Sequence, residues 1–239
     1  MLNSFRSRQK IVNLHIPKTA GTSLRDQLRP YYYSLRVKLP EQADIEVAKD
    51  YFAAVRVKLQ EAEVCLGQLD SFFLFGHFRF ADLRQVRGPQ LRDASVFTFL
   101  REPVARTVSD YYYSTSPTHP GHRDFLQAFP SLDAYMANAG EMNKQFHYLK
   151  PHEDATVAET ISAVEQGFAF VGIVERFEEC GNTLASQLSI PTLSPIHENR
   201  NPNLDQLAEA AERHGPALRA ALADDLAIYA HFSAYWLST

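Results

Sequence analysis

The feature that most constrains the fold of this chain is residues 11–24, IVNLHIPKTAGTSL, where a strand pattern changes directly into a helix pattern. Residues 11–16 are a short apolar run, rich in β-branched side chains and followed by proline, which predicts a buried strand. Leu24 and Leu28 then stand four residues apart with polar residues between them, which predicts a helix. A strand that runs through a small-residue turn into a helix aims free backbone N–H groups and the positive end of the helix dipole at one point.

The turn between this strand and helix has the composition of an anion-binding loop, because helix N-termini of this kind bind phosphate or sulfate. Lys18 adds a mobile cation, and three hydroxyl side chains add hydrogen-bond donors. The nucleoside-triphosphate P-loop, G-x-x-x-x-G-K-[ST], is not present, since the lysine precedes the only glycine of the turn by three residues. The residues predicted to surround the anion are Pro17, Lys18, Thr19, Ala20, Gly21, Thr22 and Ser23.

A second strand-to-helix junction lies in residues 95–114, SVFTFLREPVARTVSDYYYS. Residues 96–100 are an apolar strand, Arg101 stands at its carboxyl end, and the proline after it suits the first turn of a helix. On that helix Ser109 comes eight residues after Arg101, a little over two turns. We therefore predict that Arg101 and Ser109 reach one phosphate beside the crevice where open α/β sheets bind ligands.

These two motifs resemble those of sulfotransferases that use 3′-phosphoadenosine 5′-phosphosulfate (PAPS), most closely the carbohydrate branch that includes heparan sulfate 2-O-sulfotransferase. HIPKTAGTSL resembles the loop for the 5′-phosphosulfate and REPVARTVS the 3′-phosphate motif, and the match runs with gaps over about residues 11–188. The resemblance implies a P-loop-like three-layer α/β fold whose central, mainly parallel sheet is flanked by helices. It also implies PAPS as the donor co-substrate and a hydroxyl acceptor such as a glycan or glycolipid. We expect no metal, because the phosphate leaving group already activates the sulfuryl group.

A histidine follows the aromatic strand at residues 72–75, in the sequence GHFR. Catalytic groups of α/β proteins collect just beyond the carboxyl ends of strands. The resembled family carries a glycine–histidine pair here whose histidine is the general base, and this implies that role for His77. Lys18 would stabilise the bridging oxygen of the donor as its sulfur–oxygen bond breaks.

Other positions give weaker indications. Arginines after His77 either attract an anionic acceptor or form a solvated helix face; they are Arg79, Arg84, Arg87 and Arg92. By resemblance, the acceptor cleft would be shaped by Asn143, Gln145 and His147. A late polar loop would close over the adenosine and the 3′-phosphate through Arg200 and Asn201. His119 and His122 have no partners at ligand spacing, so we predict no metal site.

Length and composition indicate one soluble domain, residues 1–239, with a sizeable core. Apolar and polar periodicity predicts a further strand at 168–174 and helices at 41–63, 125–139, 143–148, 156–166, 175–188, 204–214 and 216–236. No apolar run approaches the roughly 18–20 residues that span a bilayer, and the first ten residues lack a signal core, so we expect a cytoplasmic protein. Cys65 and Cys180 fit a reducing compartment or a single disulfide.

The net charge of −4 is unevenly distributed, with +5 over residues 1–110 and −9 over residues 111–239. The basic half carries both anion motifs, which suits a highly charged donor, although uneven surface solvation gives the same pattern.

We expect no nucleic-acid partner. Two other functions fit less well: a P-loop kinase acting on a small metabolite, and a non-catalytic nucleotide-binding protein. The acceptor stays open among polysaccharide, glycolipid, small glycoside and tyrosyl peptide.

Overall fold

The computed structural model describes residues 9–37, 48–67, 69–86, 88–193 and 204–237. Within them the strands are β1 (Lys10–Leu14), β2 (Ser34–Val37), β3 (Phe72–Gly76), β4 (Ser95–Leu100) and β5 (Phe170–Ile173). They form one sheet in the order β2-β3-β1-β4-β5, and every neighbouring pair is parallel. The predicted α/β class, with a parallel sheet flanked by helices, is confirmed.

The central strands are apolar along nearly their whole length. All five residues of β3 and the last four of β1 are buried. Parallel sheets covered on both faces consist of such near-continuous apolar runs, which is why these strands are visible in the sequence. The polar Thr98 in β4 is accommodated because its hydroxyl donates a hydrogen bond to the carbonyl of Leu14 at 2.7 Å.

The helices of the described residues are α1 (Gly21–Leu28), α2 (Ala48–Leu66), α3 (Phe80–Gln85), α4 (Pro89–Arg92), α5 (Pro103–Ser114), α6 (His122–Ala128), α7 (Leu132–Met136), α8 (Lys144–Leu149), α9 (Val157–Gly167), α10 (Phe177–Leu188), α11 (Leu204–Ala221) and α12 (Ala223–Leu237). Helices α10 and α12 pack on β5, whereas α11 packs on α5 and forms a second apolar cluster apart from the sheet. None of the described helices is both long and apolar enough to cross a membrane.

Strand β2 is not predicted by the sequence pattern. It has only four residues, and Arg36 within it is exposed. Among the described strands it pairs with β3 alone, and it lies at the edge of the sheet order. A short edge strand without an apolar run carries no periodic signal, so the backbone of β3 determines its conformation.

Two predicted helices differ from those in the structure. Residues 125–139 do not form one helix: α6 ends before Pro130, and α7 begins after Ser131, whose hydroxyl caps it by accepting from the N–H of Ala134. Residues 204–221 do form one helix, although a break was expected at Gly215 and Pro216. A proline inside a helix costs about 3 kcal/mol, and the packing of α11 on α5 offsets this cost.

The remaining predicted helices and the strand β5 lie close to their expected bounds. Helix α2 begins at Ala48 within the described residues, while the first part of the predicted helix, residues 41–47, lies outside them. Cys65 is exposed and Cys180 is buried, and both are free thiols.

Candidate functional site

The carboxyl ends of β3, β1 and β4 lie side by side at one edge of the sheet. The chain leaves β1 toward β2 on one side and leaves β4 toward β5 on the other. Such a divergence opens the crevice in which open α/β sheets bind ligands. Lys18 follows β1, Arg101 follows β4 and His77 follows β3, so the fold brings the three predicted residues to this edge.

The loop after β1 has an uncommon backbone. Lys18 and Ala20 have positive φ angles of 68° and 60°, and α1 begins directly afterwards at Gly21. Non-glycine residues rarely adopt this conformation, and such strain clusters at functional sites. Left-handed residues beside a helix start direct successive backbone N–H groups toward a common point, which is the geometry that binds anions.

The hydroxyl groups of this loop differ in their accessibility. Thr19 is 2% exposed, and its hydroxyl donates to the carbonyl of Ile16 at 2.8 Å. That hydroxyl therefore holds the loop together and does not face a ligand in this structure, so the backbone N–H is what Thr19 can offer an anion. Thr22 is exposed and Ser23 is partly exposed.

The Lys18 side chain turns toward α5. Its Nζ lies 3.7 Å from the centroid of the Tyr113 ring, a cation–π contact. Burial lowers the pKa of Lys18 to about 8; the positive charge of Arg101 acts in the same direction, while the carboxylate of Asp110 opposes it. Lys18 is therefore still mostly a cation at pH 7, but it is held with less solvation than a surface lysine.

Arg101 joins the end of β4 to the anion loop. Its Nη1 donates to the carbonyl oxygen of Lys18 at 3.3 Å. The backbone of Arg101 is fixed by the fully buried amide of Gln145, which accepts from its N–H and donates to its carbonyl, each at 2.9 Å. Gln145, a candidate for the acceptor cleft, thus holds Arg101 in place.

Ser109 and Asp110 are consecutive residues of α5, the helix whose Tyr113 contacts Lys18. Ser109 is 6% exposed and stands one helical turn before Tyr113, on the same face. The Oδ2 of Asp110 accepts hydrogen bonds from three groups, which are Arg106 Nη1 at 3.2 Å, Lys144 Nζ at 2.9 Å and the hydroxyl of Tyr135 at 3.1 Å. Burial alone would raise the pKa of Asp110, but Lys144 and Arg106 outweigh it and hold this pKa well below its usual range.

Sequence reasoning missed this buried carboxylate. The Arg106–Asp110 spacing of four residues on one helix was visible as a signal. Lys144 and Tyr135 come from other helices and become neighbours only in the fold.

His77 lies directly after β3 and is partly exposed. Its Nδ1 is 2.9 Å from the backbone carbonyl oxygen of His15. A carbonyl only accepts hydrogen bonds, so Nδ1 carries the proton and Nε2 holds the lone pair of the neutral ring. Burial lowers the pKa of His77 and Arg36 adds to this, while the hydrogen bond to His15 opposes it. The ring is therefore neutral at pH 7.

His15 is a second histidine at this edge, and it was not singled out from the sequence. Its ring centroid is 4.4 Å from that of His77. A methyl group built on Gly21 would collide with its imidazole, so the ring lies directly against the start of α1. Burial lowers its pKa well below the ordinary value, and the nearby His77 and Arg36 act in the same direction. The only signal in the sequence was its place within HIPKTAGTSL.

Other residues predicted to shape the acceptor cleft or attract the acceptor form structural contacts in the fold. Asn143 and Asp225 cap each other's helices: Asp225 accepts from the N–H groups at the start of α8, and Asn143 accepts from the N–H of Asp225 in α12. His147 is partly exposed, and burial lowers its pKa. Arg79 forms ion pairs with Asp82 and Glu153.

Arg84 and Arg92 are exposed, which agrees with a solvated face. Arg87, Arg200 and Asn201 lie outside the described residues.

Two surface depressions lie along α3, and none of the residues predicted to bind the phosphates of the donor lines them, although Arg84 lines both and Arg92 lines one. The larger, of about 560 Å³, is bounded by α3 and α9. The other is lined by Ala94 and Val96, at the amino end of β4, whereas Arg101 follows its carboxyl end. Side-chain chemistry, rather than depth of the surface, therefore marks the carboxyl edge as the candidate site.

The chain matches no model of a known protein family, and no curated protein is significantly similar to it in sequence. In the part of the chain that the structure describes, no group of three or more His, Cys, Asp or Glu side chains is placed to hold a metal ion. The residues at the carboxyl edge of the sheet are thus the basis for assigning a function.

Proposed function

We propose that this protein is a sulfotransferase that moves a sulfuryl group from PAPS to a hydroxyl of a carbohydrate or glycoconjugate. The observation that carries the proposal is the direct link between the two predicted anion motifs, the 3.3 Å hydrogen bond from Arg101 Nη1 to the carbonyl of Lys18. It joins two cationic residues at the crevice between β1 and β4. A donor with phosphate groups at both ends needs two such anion sites close together.

The donor would lie along this crevice. Its 5′-phosphosulfate would bind the backbone N–H groups of residues 19–23 and the positive end of α1. Arg101 and Ser109 would bind the 3′-phosphate, which distinguishes PAPS from ordinary adenine nucleotides. The strand–loop–helix unit at the central strand β1 supports a P-loop-like fold in which the lysine comes early in the loop.

Transfer would proceed by displacement at sulfur. The acceptor oxygen forms a bond to sulfur while the bond from sulfur to the 5′-phosphate oxygen breaks, and 3′-phosphoadenosine 5′-phosphate (PAP) leaves. The reaction asks for in-line positioning and for stabilisation of charge on the departing phosphate. The ammonium group of Lys18 would stabilise this negative charge. The flexible side chain would move from the Tyr113 ring to the bridging oxygen.

His77 would accept the proton of the acceptor hydroxyl at Nε2. Its Nδ1–H donates to the carbonyl of His15, so the basic nitrogen of the neutral ring is Nε2. The lowered pKa of His77 keeps the ring unprotonated at pH 7, although it also makes the base weaker. His77 follows β3, which neighbours β1, so a base at this position would lie near the proposed anion loop.

Transfer of radiolabelled sulfate from PAPS to a panel of glycans, glycolipids, small glycosides and tyrosyl peptides tests the proposal, with calorimetric titration of PAP and ADP beside it. We expect PAP to bind about 10- to 100-fold more tightly than ADP, the worth of one charge-assisted contact, and label to enter at least one glycan. Magnesium-dependent consumption of ATP would indicate the kinase. Tight PAP binding without transfer to any acceptor would indicate a non-catalytic nucleotide-binding protein.

A further inference from the structure

The side chain of His15 occupies a place that the proposed mechanism does not use. Its ring lies 4.4 Å from the ring of His77, measured between centroids, with 33° between the ring planes. The same imidazole also lies against Gly21, the first residue of α1. The ring therefore contacts both the predicted base and the first residue of the helix that follows the predicted anion loop.

We propose that His15 is a positioning residue, whose imidazole holds the His77 ring at a fixed place relative to the start of α1. The inference deepens the sulfuryl transfer proposed above and rests on it, since in-line attack requires the base and the donor to keep a fixed separation. His15 contacts His77 in two ways. Its backbone carbonyl accepts a hydrogen bond from Nδ1, and its side chain packs against the ring.

The charges around both rings favour a neutral spacer at this position. The charged or titratable groups that act on His15 come from β2, α1 and the loops after β1 and β3; they are His77, Arg36, Arg25 and Lys18. Those that act on His77, besides the carbonyl of His15, are Arg36, Asp110 and Lys144. Most of these groups are cationic, so a protonated imidazole between them would be repelled, and burial disfavours it further.

Variants of His15 show whether its ring acts by packing against His77 or through the chemistry of its imidazole. In His15→Phe a ring still covers His77, and the backbone carbonyl is unchanged. In His15→Ala water reaches His77, so we expect its pKa, followed by NMR titration of the imidazole in the free protein, to rise toward 6.5. His15→Phe should leave the His77 pKa lowered, as in the wild type.

A matched pair of glycine variants tests the contact without altering His15. The φ of Gly21 is not positive, so Gly21→Ala is compatible with the backbone, and its methyl group displaces the His15 ring. Gly121 stands just before α6, where an added methyl would meet His119 at 3.6 Å, an ordinary contact. We expect Gly21→Ala to raise the His77 pKa as His15→Ala does, and Gly121→Ala to leave it unchanged.

Kinetic measurements should show a change in turnover without a matching change in PAPS binding. His15→Ala should lower kcat about 10-fold or more, leave the KM for PAPS within about twofold, and move the acid limb of the rate profile to higher pH. His15→Phe should restore most of kcat. An unchanged His77 pKa in both His15→Ala and Gly21→Ala overturns the inference, and if His15→Ala does not fold, the glycine pair decides. A shifted His77 pKa in a protein that transfers no sulfate supports the positioning of His77 and overturns the proposed function.

Discussion

The two sides of the β1 carboxyl end differ in electrostatics. Toward β4 and α5 the side chains are charged, and Asp110 is held as a buried carboxylate by Arg106 and Lys144. Toward β3 the side chains are two imidazoles whose pKa values are lowered by burial. The charged side suits the binding of a polyanionic donor, and the neutral side suits the acceptance of a proton. Adjacent strands of one sheet thus supply two environments to one proposed reaction.

The largest effect is expected on the charged side, from Lys18→Ala. Removing a cation that meets developing charge typically costs about 10²–10³ in turnover, and we expect this loss in kcat with labelled PAPS. In the wild type, kcat/KM should fall above pH 8, because the pKa of Lys18 is about 8 in the free protein. Lys58→Ala, on the exposed surface of α2, is the matched control. Equal activities of the two variants would remove Lys18 from the mechanism.

On the neutral side, His77→Ala should lower turnover by about 10²-fold, the usual scale for a general base. Binding of PAP should stay largely the same, because His77 lies beside β3 and apart from the Arg101 contact. His231→Ala, an exposed histidine that pairs with Glu165, serves as the control. If His77→Ala kept activity within about twofold, another group would be the base.

On the charged side, Arg101→Ala distinguishes two roles of this residue, which are binding the 3′-phosphate and holding the Lys18 carbonyl. If Arg101 binds the 3′-phosphate, PAP should bind about 10- to 100-fold more weakly, while ADP binds as before. If Arg101 serves only to hold the carbonyl of Lys18, both nucleotides should weaken together. Calorimetry with PAP and ADP distinguishes the two, and the exposed Arg92→Ala should change neither affinity.

The smallest effect is the dependence of stability on pH. The pKa values of His15 and His77 are lower in the folded chain than their ordinary 6.5, so below pH 6.5 the unfolded chain binds more protons. The free energy of unfolding should therefore fall as the pH drops from 7 to 5. Asp110 contributes nothing to this slope, since its contribution is present above an ordinary pKa of 3.8 and is lost only at lower pH.

Urea denaturation at pH 7 and pH 5 measures this slope. The double variant His15→Phe with His77→Phe should show a flatter dependence than the wild type, since neither side chain titrates. An unchanged slope in the double variant would contradict the burial of these rings as its cause.

Much of the fold was predictable because its signals are local. The apolar runs of β1, β3 and β4 and the periodicity of α5 and α9 are legible in short windows of sequence. Strand β2 was not, because its conformation is imposed by pairing with β3. The continuity of α11 through Pro216 was not predictable either, because the packing that offsets the proline comes from α5, about a hundred residues earlier.

The residues of the candidate site also fall into those that could be predicted from the sequence and those that could not. His77 and Arg101 were identified because each directly follows an apolar strand, and Lys18 because it lies in the turn after one; parallel strands place their carboxyl ends at one edge. The buried bonds of Asp110 to Lys144 and Tyr135 join residues about 25 to 35 positions apart, and no spacing rule indicates them. Nor did the sequence show that the hydroxyl of Thr19 turns inward.

The parallel α/β sheet and the edge with cationic and imidazole side chains could be predicted from the sequence, because apolar periodicity and strand ends are properties of consecutive residues. The hydrogen bond from Arg101 to the Lys18 carbonyl and the contacts of His15 with His77 and Gly21 became visible in the folded chain alone. The physical reason is that burial, ion pairing and pKa depend on which distant segments pack together. Those are properties of the folded chain.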